Sequence, residues 1–246
     1  MKPKTPRLRM FAGPNGSGKS CFNNILPPEL KGVYLNADEL EKQLEQNQSL
    51  DLSQFQLCGK AEELWQFAAR SPIHSKRNLR PKCSIDTPDQ LTFPPEQIDS
   101  YLASSLIESM RVLLLEAQTS FTFETVMSHV SKVKFLRQAR EKGYRTYLYY
   151  IATEDPEINV SRVANRVIKG GHPVPEDKIR SRYQRSLELL YSAIKETNRA
   201  YLFDNSSDGT AHSWIAEATD GSELSLKVAE VPNWFHEFVF LKSLRP

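Results

Sequence analysis

Eight consecutive residues near the start of the chain have the types and spacing of a phosphate-binding loop. They are Gly13-Pro14-Asn15-Gly16-Ser17-Gly18-Lys19-Ser20, which fit the pattern G-x-x-x-x-G-K-S/T. The glycines allow the backbone to turn so that successive N–H groups face an anion. In this pattern Lys19 reaches the β- and γ-phosphates of a nucleoside triphosphate, and the hydroxyl of Ser20 ligates Mg²⁺. The sequence therefore predicts ATP or GTP as a cofactor, together with Mg²⁺.

A second candidate for chemistry is the carboxylate of Asp38, which follows a short predicted strand in Asn36-Ala37-Asp38-Glu39. In an open α/β sheet, the carboxyl ends of the strands line the ligand crevice. A carboxylate at that place could orient a substrate hydroxyl and accept its proton during phosphoryl transfer. The alternative is that Asp38 is the N-cap of the helix that follows, since aspartate is favoured there.

Glu124 follows the apolar run Ser120-Phe121-Thr122-Phe123, near the end of another predicted strand. An acid there could hold magnesium through water or bind a substrate hydroxyl, although it could also be a solvated charge at a strand end. The polar residues just after it could line a substrate pocket; they are Thr125, Ser128 and His129. His129 could equally cap a helix or lie on the surface.

Arginines on two consecutive predicted helices form a third group. Arg162 and Arg166 are four residues apart and therefore share one helix face. The next helix carries Arg180, Arg182 and Arg185, and Gly170-Gly171-His172-Pro173 separates the two. A helix pair of this kind could close as a lid, supply positive charge to a transferring phosphoryl group and exclude water. The alternative is a solvated basic helix face.

The elements that must position these residues alternate between strands and helices. Strands are predicted over residues 8–12, 32–36, 120–126, 144–152 and 200–203, and a β-hairpin over 211–232. Helices are predicted from residue 21, over 38–47, 53–69, 98–117, 131–142 and 175–194, between Asp155 and Gly170, and over 233–242. Residues 70–97 are rich in proline and cations, which predicts a long surface loop or insertion.

This alternation predicts an α/β class, a P-loop three-layer sandwich with a mainly parallel sheet, a helical lid and a small C-terminal hairpin plus helix. We expect one domain over residues 1–246, with an insertion at 50–97 and a C-terminal appendage at 208–246.

The composition excludes several classes. A net charge of only +2 over 246 residues does not call for nucleic acid or a membrane as partner. The three cysteines have no metal-ligand spacing, and so small and odd a number argues against a disulfide framework. No apolar stretch approaches the roughly 20 residues that span a bilayer, so we expect a cytoplasmic protein that does not use a membrane. The basic segments 70–82 and 132–145 lack the interleaved aromatics of a stacking platform, which makes nucleic acid an unfavoured partner.

As a set, these residues resemble one known family, the zeta-toxin-like P-loop kinases, over about residues 7–205. The motifs that carry the resemblance are the loop 13–20, Asn36-Ala37-Asp38, Phe123-Glu124-Thr125 and Arg162-x-x-x-Arg166-x-x-x-Gly170-Gly171-His172-x-Val174-Pro175. Two motifs depart from the family pattern. Asp38-Glu39-Leu40-Glu41 lacks the usual arginine, and Gly13-Pro14-Asn15-Gly16 stands where the family more often has Gly-Gln-Pro-Gly.

The resemblance implies an ATP- or GTP-dependent kinase that acts on a small-molecule hydroxyl. Zeta toxins phosphorylate UDP-N-acetylglucosamine on the sugar, so a UDP-amino-sugar is the implied acceptor, Asp38 the implied base and an antitoxin protein an implied partner. The lid arginines are implied to contact the triphosphate. Two alternatives stay open at this point: a regulatory or mechanical P-loop ATPase without a small-molecule acceptor, and a polynucleotide kinase.

Overall fold

The computed structural model describes residues 5–22, 26–76, 81–207 and 212–244. Its internal contacts divide the chain into two compact units. The first unit comprises Met1–Leu30 and Glu124–Pro246, and the second comprises Lys31–Phe123. The strand Phe121–Thr125 therefore straddles the sequence boundary between them.

The strands in chain order are β1 (Arg7–Ala12), β2 (Val33–Leu35), β3 (Ser49–Asp51), β4 (Ser84–Thr87), β5 (Gln90–Thr92), β6 (Phe121–Thr125), β7 (Arg145–Ala152), β8 (Arg199–Asp204), β9 (Ser213–Thr219) and β10 (Glu223–Leu226). The α-helices are Pro28–Lys31, Ala37–Asn47, Ala61–Ala69, Pro72–Lys76, Ser100–Glu116, Ser131–Glu141, Pro156–Ile168 and Glu176–Lys195. Three short consecutive helical segments follow, Asn233–Phe235, His236–Phe240 and Leu241–Ser243.

The first unit is built on the strand order β10-β9-β8-β7-β1. Strands β1, β7 and β8 run parallel, with Arg7 opposite Arg145 and Tyr147 opposite Arg199. Strand β9 pairs with β8 antiparallel, and β10 returns as the second arm of the predicted hairpin. The predicted α/β class, with a mainly parallel sheet and a C-terminal hairpin, is therefore confirmed.

The apolar runs that predicted these strands lie in the core. Leu8 and Met10 of β1, Leu148 and Tyr150 of β7, and Leu202 of β8 are completely buried. The Tyr150 hydroxyl lies 3.0 Å from Ser186 Oγ, which joins β7 to the helix Glu176–Lys195. The free energy gained by burying these side chains holds the helix on one face of the sheet.

The second unit contains a parallel pair, β2 and β6, and a separate three-stranded antiparallel sheet in the order β3-β5-β4. Its longest helix, Ser100–Glu116, begins at the N-cap Asp99 and buries Leu102, Leu106 and Met110. Helix Ala61–Ala69 adds Leu64 to the same core.

The prediction of a long surface loop over residues 70–97 is wrong. The segment contains the helix Pro72–Lys76 and strands β4 and β5, and it buries Leu91 and Phe93. Phe93 packs edge-on against Trp65, with ring centroids 6.0 Å apart. The segment thus supplies core residues, and its interpretation as an insertion stays a prediction.

Two further helix predictions need correction in detail. The helix predicted over 53–69 is two elements, a 3-10 turn at Leu52–Phe55 and the helix Ala61–Ala69. Of the helix predicted from residue 21, the structure describes a 3-10 turn at Lys19–Cys21, and residues 23–25 lie outside the described part of the chain. Within the described ranges, no helix has both the length and the hydrophobicity that a membrane span needs.

Candidate phosphate-binding site

The loop 13–20 follows β1 directly and turns at its glycines. Gly16 and Gly18 have φ angles of 77° and 96°, a region that residues with a Cβ atom rarely occupy. A Cβ atom at Gly16 would lie 2.6 Å from the carbonyl oxygen of Asn159, and one at Gly18 would collide with the side chain of Asn205. The positive φ angle favours glycine at both positions, and at Gly16 the backbone of Asn159 leaves no room for a Cβ atom.

The ammonium group of Lys19 lies back over the beginning of the loop. Its Nζ donates hydrogen bonds of 2.9 Å to the carbonyl oxygens of both Gly13 and Pro14. The hydroxyl of Ser17 is completely buried and has no hydrogen-bond partner among the described residues. A positive charge and an unsatisfied polar atom on one glycine-rich turn fit a phosphate group as ligand.

The helix Pro156–Ile168, here called the first arginine helix, supports the loop from one side. It begins as predicted, with Asp155 as N-cap and Pro156 in the first helical position. Asn159, in its first turns, is completely buried, and its Nδ2 donates a 2.6 Å hydrogen bond to the carbonyl oxygen of Asn15. The Oδ1 atom of Asn159 accepts a hydrogen bond from the hydroxyl of Thr153.

The turn after β8 supports the loop from a second element. Asn205 donates from Nδ2 to the carbonyl oxygen of Ser17 at 2.9 Å. Arg162, on the first arginine helix, donates to the carbonyl oxygen of Asn205 at 2.6 Å and reaches that of Ser207 at 3.5 Å. Arg162 therefore contacts the turn after β8 that supports the phosphate-binding loop, and its role in catalysis stays a prediction.

Gly170 and Gly171, which separate the two helices of the predicted lid, terminate the first arginine helix. Gly170 N–H donates to the carbonyl oxygen of Val167, and Gly171 N–H to that of Arg166, both at 2.9 Å, which is the Schellman arrangement. Arg166 is exposed and donates from Nη2 to the carbonyl oxygen of His172 at 3.1 Å. A hinge motion at this point stays a prediction.

The helix Glu176–Lys195, the second arginine helix, brings one arginine to the loop. Arg182 Nη1 lies 3.5 Å from the side-chain oxygen of Asn15. Arg180 instead forms a two-pronged ion pair with Glu157 and also contacts Glu176. The hydrogen bonds from Arg180 lower the pKa of Glu157, so this pair joins the two arginine helices to each other.

Burial also raises the pKa of Tyr183 on the second arginine helix. Its hydroxyl donates to the carbonyl oxygens of Thr153 at 2.7 Å and of Glu154 at 3.2 Å. Because Thr153 also orients Asn159, Tyr183 stabilises the chain segment that supports the phosphate-binding turn.

Asp38 lies in the second unit, in the first turn of the helix Ala37–Asn47. It is not the N-cap: that role belongs to Asn36, whose Oδ1 accepts hydrogen bonds from the backbone N–H groups of Asp38 and Glu39. The carboxylate of Asp38 is exposed.

Glu124 and Thr125, the last two residues of β6, belong to the first unit together with the residues that follow them. Glu124 is half-buried, and Thr125 Oγ1 accepts a 3.0 Å hydrogen bond from the N–H of Met127. His129 is exposed and its Nδ1 accepts from Ser131 N–H at the beginning of the helix Ser131–Glu141. This contact favours the capping alternative for His129, while Ser128 lies half-buried in the same turn.

Within the first unit the structure thus brings Asn159, Arg182 and Asn205 to the predicted loop, and it places Arg162 on Asn205. Asn159 and Asn205 are absent from the sequence-based site, because a lone asparagine inside a helix or after a strand carries no local signal. The fold and this glycine-rich turn after the first strand define a P-loop α/β protein.

Comparisons with known proteins agree with this class. The Zeta toxin family model matches residues 100–207, which include Glu124, Arg162, Arg166 and Asn205 but not the loop 13–20. The predicted resemblance to zeta toxins is therefore confirmed over that part of the chain. An uncharacterized protein from Haemophilus influenzae is 33% identical over 69 residues, which are 28% of this chain and 49% of the relative.

Two solved structures share the fold at 17% identity. One is AvrRxo1-ORF1 in complex with AvrRxo1-ORF2 and sulphate ions, with a TM-score of 0.55. The other is the same pair with ATP, with a TM-score of 0.53. Each match covers 92% of this chain, and about three fifths of the neighbour, 62% and 61%. The chain thus spans about half of the curated relative and less than two thirds of these neighbours.

Proposed function

We propose that this protein is a P-loop phosphotransferase that moves the γ-phosphoryl group of ATP or GTP to a small-molecule hydroxyl. The observation that carries the proposal is the loop 13–20 with its supports. The glycine turns, the ammonium of Lys19 and the side chains of Arg162 and Arg182 lie together in one unit. This is the arrangement that phosphoryl transfer needs, because its catalysis rests on positioning and on neutralising negative charge.

The residues have separate roles in this proposal. Loop N–H groups and Lys19 bind the triphosphate, and Arg162 and Arg166 neutralise the charge that spreads over the transferring group. Asp38 accepts the proton of the acceptor hydroxyl. Glu124 positions the acceptor or the metal, and Thr125, Ser128 and His129 line the acceptor pocket.

Mg²⁺ would be held by the hydroxyl of Ser20 and, through water, by Glu124. Both are oxygen donors, which Mg²⁺ prefers, and Ser20 is exposed at the end of the loop. When bound, the metal would supply positive charge between the β- and γ-phosphates.

The family likeness supports a finer proposal about acceptor and partner. We propose a UDP-amino-sugar such as UDP-N-acetylglucosamine as acceptor and an antitoxin protein as partner. The AvrRxo1-ORF1 structures contain a second protein and, in one case, ATP, which is compatible with both a nucleotide site and a protein partner here.

The test of the function is a transfer assay with γ-labelled ATP or GTP, Mg²⁺ and a panel of UDP-sugars, followed by a metabolite extract. A labelled sugar nucleotide or metabolite, identified by mass spectrometry, is the expected result. Release of phosphate without a labelled product would favour the ATPase alternative. Label on an added oligonucleotide would favour the polynucleotide kinase.

The test of the proposed base compares Asp38→Asn with Glu39→Gln, its exposed neighbour in the same helical turn. Asp38→Asn should lower turnover by about 10²- to 10⁴-fold and leave ATP affinity unchanged, because a base acts only in the chemical step. Glu39→Gln should stay close to the unaltered protein. Full turnover by Asp38→Asn would remove Asp38 from the mechanism.

A further inference from the structure

Two asparagines from different elements hold two peptide groups of the phosphate-binding loop. Asn159 donates to the carbonyl oxygen of Asn15 at 2.6 Å, and Asn205 donates to that of Ser17 at 2.9 Å. Asn159 is completely buried, and Asn205 is half-buried. These bonds engage alternate carbonyl groups of the loop, at positions 15 and 17.

The geometry of the peptide bond means that each of these contacts also fixes the direction of the N–H group of the next residue. A trans peptide is planar, so the carbonyl of one residue and the N–H of the next point in opposite directions. With the Asn15 carbonyl directed at Asn159, the N–H of Gly16 points away from Asn159. By the same rule the N–H of Gly18 points away from Asn205.

An anion nest requires this arrangement of N–H and carbonyl groups. Its N–H groups must face the ligand, and its carbonyls must face outward, because an inward carbonyl would repel phosphate oxygens. Glycine peptides rotate easily, so the loop alone does not favour one orientation strongly. A donor behind each carbonyl stabilises the orientation that binds an anion.

Both asparagines are themselves fixed by the end of strand β7. The hydroxyl of Thr153, one residue past the strand, donates to Asn159 Oδ1 and so turns its amide nitrogen toward the loop. The carbonyl oxygen of Ala152 accepts a 2.8 Å hydrogen bond from the backbone N–H of Asn205. Strand β7 therefore aligns both donors.

We propose that Asn159 and Asn205 are positioning residues that set the phosphate-binding loop for a triphosphate before the ligand arrives. The inference rests on the proposed function, since it assigns the site a phosphate ligand. Preorganisation of this kind raises affinity because less conformational freedom is lost on binding.

The main experiment measures the binding of MgATP and of inorganic triphosphate by calorimetry for Asn205→Ala and Asn205→Asp. Asn205 is the better target, because it is half-buried and its replacement disturbs the core less than that of Asn159. The alanine variant lets water replace the lost donor and should weaken both ligands about threefold to tenfold. The aspartate variant turns an acceptor toward the Ser17 carbonyl and should weaken both ligands more than tenfold.

The matched control is Asn165→Asp, which adds the same charge at an exposed position of the first arginine helix. It should bind both ligands within about twofold of the unaltered protein, because exposed charges are screened by salt. Asn159→Asp gives a second, independent variant, with circular dichroism and thermal unfolding as the check that it is folded.

Kinetics separate positioning from a general loss of structure. If the asparagines act through the loop, the KM for ATP should rise in each variant while the KM for the acceptor stays unchanged. In the double variant Asn159→Asp with Asn205→Asp, the losses in affinity should be less than additive, because both act on one loop.

The outcomes distinguish this inference from the function on which it rests. Failure of the unaltered, folded protein to bind ATP and triphosphate would overturn the proposed function. Normal binding by the unaltered protein, together with equally tight binding by folded Asn205→Asp, would overturn the positioning role alone.

Discussion

Asn205 and Ser17 are 188 residues apart in the sequence, and the side chain of one donates a 2.9 Å hydrogen bond to the carbonyl oxygen of the other. The contact exists because β8 and β1 both run parallel to β7. Parallel strands deliver their carboxyl ends to the same edge of a sheet, where ligands bind in this class of fold. The loop and the turn that braces it therefore meet through the topology of the sheet.

The glycines of the loop provide a first prediction, through a comparison of Gly16→Ala with Gly170→Ala. Both residues have a positive φ angle, 77° and 86°, so both variants carry a backbone strain of roughly 1–3 kcal/mol. Only Gly16 is crowded: its Cβ atom would lie 2.6 Å from the carbonyl oxygen of Asn159, whereas at Gly170 no atom of the described residues lies within 4 Å.

Gly16→Ala should therefore cost a further ~1–3 kcal/mol in the free energy of unfolding, and it should weaken ATP binding while Gly170→Ala does not. Urea unfolding and calorimetry provide the two measurements. Equal losses of stability in the two variants would mean that Asn159 does not press on the loop.

Arg162, which donates a hydrogen bond to the turn after β8, provides a second prediction. Arg162→Ala removes the donor to the Asn205 carbonyl and the charge proposed for the transition state, and it should lower turnover by about 10²-fold or more. Arg162→Lys keeps the charge but not the two-pronged geometry, so it should recover only part of the loss.

The control is Arg137→Ala. Arg137 also donates through two nitrogens, to Glu196, but it does so on the exposed face of the helix Ser131–Glu141. Its turnover should equal that of the unaltered protein in the same transfer assay. A similar loss in both variants would point to general destabilisation rather than to a role of Arg162 at the loop.

Sequence reasoning predicted most of this architecture, and its failures have physical reasons. Strands β1, β7 and β8 consist mostly of apolar and aromatic residues, a pattern typical of buried parallel strands. Strands β4 and β5 have only four and three residues. The prolines and cations around them made the segment resemble a polar loop, although Leu91 and Phe93 are buried. So short an alternation is too weak to distinguish a strand from a loop.

The candidate site shows the same division. The loop 13–20 is a contiguous motif, so eight consecutive residues are enough to identify it. Asn159 and Asn205 act through contacts to residues 144 and 188 positions away, which leave no local pattern. Of five arginines, the sequence favoured Arg162 and Arg166. In the structure Arg162 donates to Asn205 in the turn after β8 and Arg182 lies near Asn15 of the loop, whereas Arg180 pairs with Glu157.

The pair between Arg180 and Glu157 provides a prediction about pH. Hydrogen bonds from Arg180 lower the pKa of Glu157 in the folded protein below its unfolded value of about 4.3. The pair therefore contributes stability above pH ~4.3, and this contribution is lost as the pH falls through the lower, folded pKa. Both side chains are exposed, so the effect is small and sensitive to salt.

The measurement is the difference in Tm between the unaltered protein and Glu157→Gln, taken from pH 7 down to the acid limit at low salt. The difference should be positive at pH 7, shrink below pH ~4.3 and decrease when salt is added. A difference that is unchanged by pH would show that the carboxylate charge of Glu157 contributes nothing to stability.

The cysteines of the second unit test whether the segment 70–97 is ordered. Burial, with the nearby charges of Glu62 and Asp86, raises the pKa of Cys83 to about 12, whereas Cys58 is exposed. Only the thiolate reacts, although a thiolate of higher pKa is also the better nucleophile, so at pH 8 iodoacetamide should alkylate folded Cys83 roughly a hundredfold more slowly than the same cysteine in the unfolded chain, where the pKa is about 8.5. Cys58 should react in the folded protein, and mass spectrometry of the two peptides measures both rates.

Glu62→Gln should speed alkylation of Cys83, since it removes one of the charges that disfavour the thiolate. If this segment were a loose surface loop, Cys83 would react as fast in the folded protein as in urea.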